Sequence, residues 1–128
     1  MHHAGLSVKT FPQFSSLENI IDARNAQLSV SINGDETNYP GFLLEQAFDV
    51  PYLKTVIPLG IDNTSLWISS IAVATKNEHS VHQFIERETV RLTSFIANTT
   101  IPKQRVFINA PASIVFELKR ILESIGSE

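Results

Sequence analysis

The residues best suited to metal or acid–base chemistry are two histidines and a glutamate at helical spacing. His79, His82 and Glu86 stand at positions i, i+3 and i+7, which places their side chains near one face of a helix. Imidazole and carboxylate groups are ligands of divalent metals such as zinc. However, no further histidine or acidic cluster completes a set of four ligands, and polar groups at a helix start commonly face water. We therefore expect no metal site, and a zinc titration followed by calorimetry would test this.

Nucleophilic and phosphate-binding chemistry has weaker support. Ser69 and Ser70 follow Trp67 closely, but no glycine elbow pattern surrounds either hydroxyl, and alternating serines are ordinary on a half-exposed strand. The five glycines are scattered along the chain and form no clustered loop before a helix. The sequence therefore predicts no catalytic residue and no cofactor, and indicates that the chain is not an enzyme.

Basic residues also fail to define a binding site. Arg87 and Arg91 lie one helical turn apart, Lys103 and Arg105 follow, and acidic residues are interleaved with them. This pattern favours a solvated helix face with compensating charges over a phosphate or RNA site. The net charge of -3 likewise argues against a general nucleic-acid or anionic-membrane binder.

Length and composition indicate one globular domain over residues 1–128. Hydrophobic residues make up 43% of the chain and charged residues 18%, against a usual charged share of about 25%. No cysteine is present, which excludes a disulfide framework and a thiolate metal site. Because no export signal is evident at the start, we expect a cytoplasmic or nuclear location, or both.

Hydrophobic periodicity predicts short elements in the first half. Alternation predicts strands over 6–11 and 28–32, the latter before an Asn33-Gly34 hairpin turn. The capping-box spacing of Ser15 and Glu18 predicts a helical turn over 15–24. Residues 42–48 are ambiguous between a strand and a short helix, and the sheet topology between Ala23 and Phe48 stays open.

The second half has stronger signals. β-branched and aromatic runs predict strands over 52–59 and 65–75, joined by a hairpin at 60–63. Apolar residues at helical spacing predict a long helix over 79–98, and a short strand over 105–109 precedes a helix that begins near Pro111. The resulting fold class is α+β: an antiparallel β-sheet with a long helix and a C-terminal helix packed on it, ending strand-helix-strand-helix.

Apolar residues on the predicted sheet suggest a partner surface. Neighbouring strand residues point to opposite faces, so Trp67 and its neighbour Ile68 cannot both face the same core. Burial in the core is the default, and an exposed face would suit a protein partner. On apolar character alone, we name Tyr52, Trp67 and Ile68 as candidate interface residues.

Several segments resemble the small proteasome-assembling chaperones, specifically the chaperone 4 family and its fungal counterparts. They are LSVKTF at 6–11, TVIPLG at 55–60, the helix at 79–98, PKQRVFINAP at 102–111 and IVFELKRILESIG at 114–126. The resemblance implies an antiparallel sheet carrying helices. It also implies a non-enzymatic assembly chaperone that forms a heterodimer with a related small subunit and holds proteasome α subunits during α-ring assembly.

Two other functions remain open at this point. A pleckstrin-homology-like module, which binds peptides or lipid headgroups, also ends in an amphipathic helix, although the strong helix at 79–98 counts against that fold. A small hydrolase using a serine or a histidine–glutamate metal site is the third possibility.

Overall fold

The computed structural model describes residues 6–10, 16–32, 38–100, 102 and 105–125, and within them helices dominate. The described residues also contain two strands of two residues each. The elements in order are α1 (Leu17–Ala23), β1 (Ser29–Val30), α2 (Asn38–Phe48), β2 (Tyr52–Leu53), α3 (Gly60–Ala74), α4 (Glu78–Ala97) and α5 (Ala112–Ser124).

The strands form a parallel pair, so the predicted antiparallel sheet is wrong. Ser29 pairs with Tyr52 and Val30 with Leu53, and the Ser29 N–H donates to the Pro51 carbonyl at 2.8 Å. Parallel strands need a crossover connection, which α2 supplies here. The Asn33-Gly34 turn that supported a hairpin lies outside the described residues. Residues 42–48, ambiguous from sequence, belong to α2.

The largest correction concerns α3, which occupies residues predicted as a hairpin and a strand. Ile61, Ile68, Ile71 and Ala72 recur at helical spacing, and Ile71 and Ala72 are buried. Asp62 stands in the first turn, where a negative charge complements the helix dipole. The β-branched side chains favour strands only weakly, and burial of one helical stripe outweighs that preference.

The two C-terminal helices are confirmed. Helix α4 covers almost the whole predicted range, and α5 begins directly after Pro111, which occupies the N-cap position. Near the N-terminus, α1 is capped by Ser16, whose Oγ accepts from the Asn19 N–H at 3.3 Å, while the predicted cap Ser15 lies outside the described part. Residues 6–10 and 105–109 form no strand, and Phe11 is not described.

Helices α3 and α4 form a tight helical hairpin around a three-residue turn. Lys76 adopts a φ of 57°, the Thr75 hydroxyl donates to the Ile71 carbonyl at 2.8 Å, and the Asn77 amide donates to the Thr75 carbonyl at 3.1 Å. A connection this short makes the two helices antiparallel neighbours.

The buried core of the described residues is small. Its buried apolar members are Val50, Ile71 and Ala72, joined by Ser31, so most apolar side chains of the described residues keep partial access to solvent. None of the helices in the described ranges has the length and apolar character needed to span a bilayer.

Candidate functional site: the α3–α4 groove

An open apolar groove of about 420 Å³ runs along the α3–α4 hairpin. Its walls come from the first two turns of α3 and the middle of α4. The lining residues are Gly60, Ile61, Thr64, Ser65, Ile68, Phe84, Ile85, Glu88, Thr89 and Leu92. Because the apolar members recur at seven-residue intervals, the groove extends about two helical turns, or roughly 10 Å.

The charged side of the groove is organised around Glu88. Its carboxylate accepts from Arg91 Nε at 2.8 Å and from Arg87 Nε at 3.2 Å. Partial burial raises the pKa of Glu88, but hydrogen bonds and charges from Arg91 and Arg87 outweigh this effect and hold the pKa below its usual range. The Arg87 guanidinium also lies over the Phe84 ring, 5.6 Å from its centroid. At physiological pH the Glu88 carboxylate in the groove wall is therefore ionised, and the positive charges of Arg87 and Arg91 compensate its negative charge.

The α3 end of the groove is fixed by contacts outside it. The Thr64 hydroxyl donates to the Pro58 carbonyl at 3.0 Å, and the Asn63 side-chain amide donates to Glu117 Oε2 on α5 at 2.8 Å. Gly60 enters the helix with a φ of 78°, a conformation that costs glycine little. These contacts hold the α3 wall in place: Gly60 and Thr64 themselves line the groove, whereas Asn63 does not.

The three candidate interface residues occupy different places. Ile68 lines the groove, whereas the Tyr52 ring packs against Gly41 of α2 and its N–H donates to Glu45 at 3.3 Å. Trp67 is half-buried outside the groove, and its indole Nε1 is buried without a hydrogen-bond partner among the described residues. Whether any of the three contacts a partner stays a prediction.

Sequence reasoning missed the groove because it placed only one of the two walls on a helix. Phe84, Ile85 and Leu92 were expected on α4, but as a stripe packed on a sheet. The signal that could have revealed the second wall was the recurrence of Ile61 and Ile68 seven residues apart, which fits a helix and not an alternating strand.

The predicted chemical clusters do not assemble into a site. His82 pairs with Glu86 at 3.2 Å on the exposed face of α4, while His79 lies 3.5 Å from Gln83. The Ser70 hydroxyl donates to the Leu66 carbonyl of its own helix at 2.8 Å. Of the basic residues, Arg87 and Arg91 are engaged by Glu88, Arg105 is exposed, and Lys103 lies outside the described residues.

Several large apolar side chains of the described residues are exposed. They include Leu17 on α1, Tyr39 on α2, Phe95 on α4 and Phe107. Where such side chains form a contiguous patch, the patch is typical of a surface that another polypeptide covers.

Comparison with known families identifies the chain's relationship. The family model described as nitrogenase component 1 type oxidoreductase matches residues 1–128. The chain belongs to the nitrogenase component 1 type oxidoreductase family. No curated protein and no solved structure matches it.

Membership of the nitrogenase component 1 family overturns the relationship inferred from the sequence. The resemblance to proteasome-assembling chaperones is wrong, and with it the assembly-chaperone function, the related heterodimer subunit and the proteasome α subunits as partners. The segments behind that resemblance were short apolar strands and amphipathic helices, which recur in many unrelated folds. Three stretches expected as strands, at 6–10, 55–60 and 105–109, are not strands.

Nitrogenase-type chemistry implies a metal cluster. The side chains available as metal ligands decide whether this chain could hold one. Iron–sulfur clusters are held mainly by cysteine thiolates, and the sequence contains no cysteine. In the described ranges, no three His, Asp or Glu side chains converge as a metal-binding group. The residues present therefore do not fit a resident cluster.

Proposed function

We propose that this chain is a protein-binding component of a nitrogenase component 1 type oxidoreductase, and that the α3–α4 groove receives an amphipathic helix of another polypeptide of that enzyme. The observation that carries the proposal is the groove itself: an apolar cleft two helical turns long, open to solvent, on a chain that belongs to an oxidoreductase family.

The shape and lining of the groove suit a helix. Two antiparallel helices present a furrow into which a third helix can pack its ridge of apolar side chains. The floor is apolar, and recognition of an amphipathic helix uses anchors at positions i, i+3 or i+4, and i+7. Ile61 and Ile68 on one wall, with Ile85 and Leu92 on the other, supply contacts at matching intervals.

Charge at the groove favours an occupant with little charge on its buried face. The carboxylate of Glu88 is satisfied by Arg87 and Arg91, both of which are exposed. An inserted apolar ridge would leave these ion pairs intact. Acidic residues at the edge of the partner helix could form ion pairs with the two guanidinium groups.

A role in binding is consistent with the expectation that the chain has no reaction of its own. The groove holds hydroxyls at Thr64, Ser65 and Thr89, but Thr64 is committed to the Pro58 carbonyl and no histidine lines the groove. We infer that redox ligands come from other polypeptides of the enzyme. The single-domain organisation and the cytoplasmic or nuclear location stay predictions.

A matched pair of variants on α4 tests the proposal. Leu92 lines the groove and is 39% exposed, whereas Val90 is 67% exposed and does not line it. We expect Leu92→Glu to reduce recovery of a second nitrogenase-type subunit at least ten-fold in affinity purification with quantitative mass spectrometry, and Val90→Glu to leave recovery unchanged. Thermal unfolding checks that both variants fold.

Two outcomes contradict this function. One is recovery of no oxidoreductase subunit by the unaltered chain from cells that express the enzyme. The other is an equal loss of the subunit in Leu92→Glu and Val90→Glu, which would place the contact elsewhere.

A further inference from the structure

Helix α1 has an apolar face that is exposed to solvent. Leu17, Ile20 and Ile21 lie at positions i, i+3 and i+4, which share one side of a helix, and they are 71%, 45% and 45% exposed. No residue of α1 is buried, and none of the more extensive packing contacts between the described elements involves α1. Because a helix this short is marginal in water without packing, its apolar face needs a covering surface.

The length of α1 matches that of the α3–α4 groove. The helix has seven residues, which rise about 10 Å along its axis, and the groove extends over the same distance. Its three apolar side chains have the spacing with which a helix anchors in a groove between two others. Among the described residues that line the groove, none belongs to α1. The groove of each copy is therefore open to a helix from elsewhere.

One flank of the apolar face of α1 is acidic. Glu18 and Asp22 stand four residues apart, so they lie on the same side of the helix, next to the apolar face. Asp22 contacts Lys9 at the surface, where both side chains remain more than half exposed. An exposed ion pair of this kind contributes little to stability, so Asp22 is able to share its charge with a second cation.

The matching flank of the groove is basic. Arg87 and Arg91 also stand four residues apart, beside the face of α4 that lines the groove. Each arginine uses its Nε to bind Glu88, and both guanidinium groups are exposed. Their terminal Nη atoms make no hydrogen bond within the described part of the chain, so they are available to carboxylates of another helix. The spacing of the two arginines equals that of the two acids on α1.

We propose that α1 of a second copy of this chain occupies the α3–α4 groove, with Glu18 and Asp22 beside Arg87 and Arg91. Since each copy carries both a groove and an α1, two copies exchange these contacts about a two-fold axis, and the assembly closes as a dimer. The groove holds one helix at a time, so the dimer competes with the enzyme polypeptide proposed above. That competition rests on the proposed function, whereas the dimer itself does not.

Two substitutions to glutamate separate the helix from the groove. Ile20→Glu disrupts the apolar face of α1 and leaves the groove intact, whereas Leu92→Glu disrupts the groove and leaves α1 intact. Asn19→Glu adds the same charge on the opposite side of α1 and serves as the matched control. Circular dichroism and thermal unfolding check that all three variants fold.

We expect the unaltered chain and Asn19→Glu to sediment as dimers at high micromolar concentration. Ile20→Glu and Leu92→Glu, each alone, should weaken dimerisation at least about ten-fold. An equimolar mixture of these two variants should contain more dimer than either variant at the same total concentration, because the intact α1 of one copy fits the intact groove of the other. Labelling one variant with a fluorophore identifies the mixed dimer.

Three results would overturn the proposal. They are a monomer at every concentration, which is also the outcome if α1 occupies the groove of its own copy; dimerisation that Ile20→Glu leaves unchanged; and a mixture that forms no mixed dimer. The proposed function is tested separately, because Ile20→Glu should maintain or raise recovery of the second nitrogenase-type subunit. If no such subunit is recovered while the dimer behaves as expected, only the proposed function fails. If the chain is monomeric and Leu92→Glu still lowers recovery, only the dimer fails.

Discussion

Asn63 of α3 donates its side-chain amide to Glu117 of α5 at 2.8 Å, across 54 positions of the chain. Glu117 Oε2 also lies 3.2 Å from Arg120 Nη2. One half-buried carboxylate oxygen thus links the groove-bearing hairpin to the C-terminal helix. This contact therefore fixes the position of α5 relative to the groove.

The Asn63–Glu117 contact should contribute measurably to stability. Hydrogen bonds to charged groups contribute about 1.5–3 kcal/mol when buried, and partial exposure reduces this value. We expect a double-mutant cycle of Asn63→Ala and Glu117→Ala in urea unfolding to give a coupling free energy of about 1 kcal/mol. Additive effects of the two substitutions would show that the contact is not formed in solution.

Gly60 should resist substitution mainly through its backbone. Its φ is 78°, and an added Cβ would lie 3.1 Å from Ile121 Cγ1. We expect Gly60→Ala to destabilise the fold by about 1–2 kcal/mol. The backbone strain persists when the side chain of Ile121 is removed, so at least half of the loss should remain in an Ile121→Ala background. Complete recovery in that background would assign the cost to crowding instead.

At Gly41, in contrast, a side chain is excluded by lack of space and not by the backbone conformation. An added Cβ would overlap the Tyr52 ring, and its φ lies outside the left-handed region. We expect Gly41→Ala to cost about 1–3 kcal/mol and expect most of this loss to disappear when Tyr52 is replaced by Leu. A loss that persists in the Tyr52→Leu background would show that the ring does not pack on α2 as described.

The sequence was sufficient for α4 and α5 because their apolar residues fall on one helical stripe and polar residues fill the rest. It was insufficient for α3, where Ile, Val, Thr and Trp satisfy both a strand and a buried helix, and only tertiary packing decides between them. One half of the groove could therefore be predicted and the other could not.

Strand direction was a separate difficulty. The parallel pair of Ser29–Val30 with Tyr52–Leu53 depends on a crossover connection. Each strand has only two residues, which is too short for an alternation of apolar and polar side chains to be recognised. Residues 105–109 have the composition of a strand, but composition cannot state whether the pairing strand is present in the same chain.

The network around Glu88 predicts a dependence of stability on pH. Its pKa is lowered in the folded chain from an ordinary value of 4.5, so ionised Glu88 stabilises the fold above that pH, and the contribution is lost as pH falls below it. We expect the melting temperature of Glu88→Gln to lie below that of the unaltered chain at pH 7 and the two to converge towards pH 3. Replacing Arg87 and Arg91 with Gln should remove the difference at both pH values. A difference that is constant with pH would contradict the ion pairs.

Helix α5 allows a final comparison between a half-buried and an exposed apolar residue two positions apart. Leu118 is half-buried on the helix that packs against α3, whereas Phe116 is 71% exposed. A carboxylate on this half-buried face loses part of its hydration and the apolar contacts of Leu118, so we expect Leu118→Asp to lower the free energy of unfolding by about 1–3 kcal/mol. Phe116→Asp should change it by less than about 0.5 kcal/mol. Thermal and urea unfolding followed by circular dichroism measure both, and similar losses in the two variants would show that α5 presents a different face to α3.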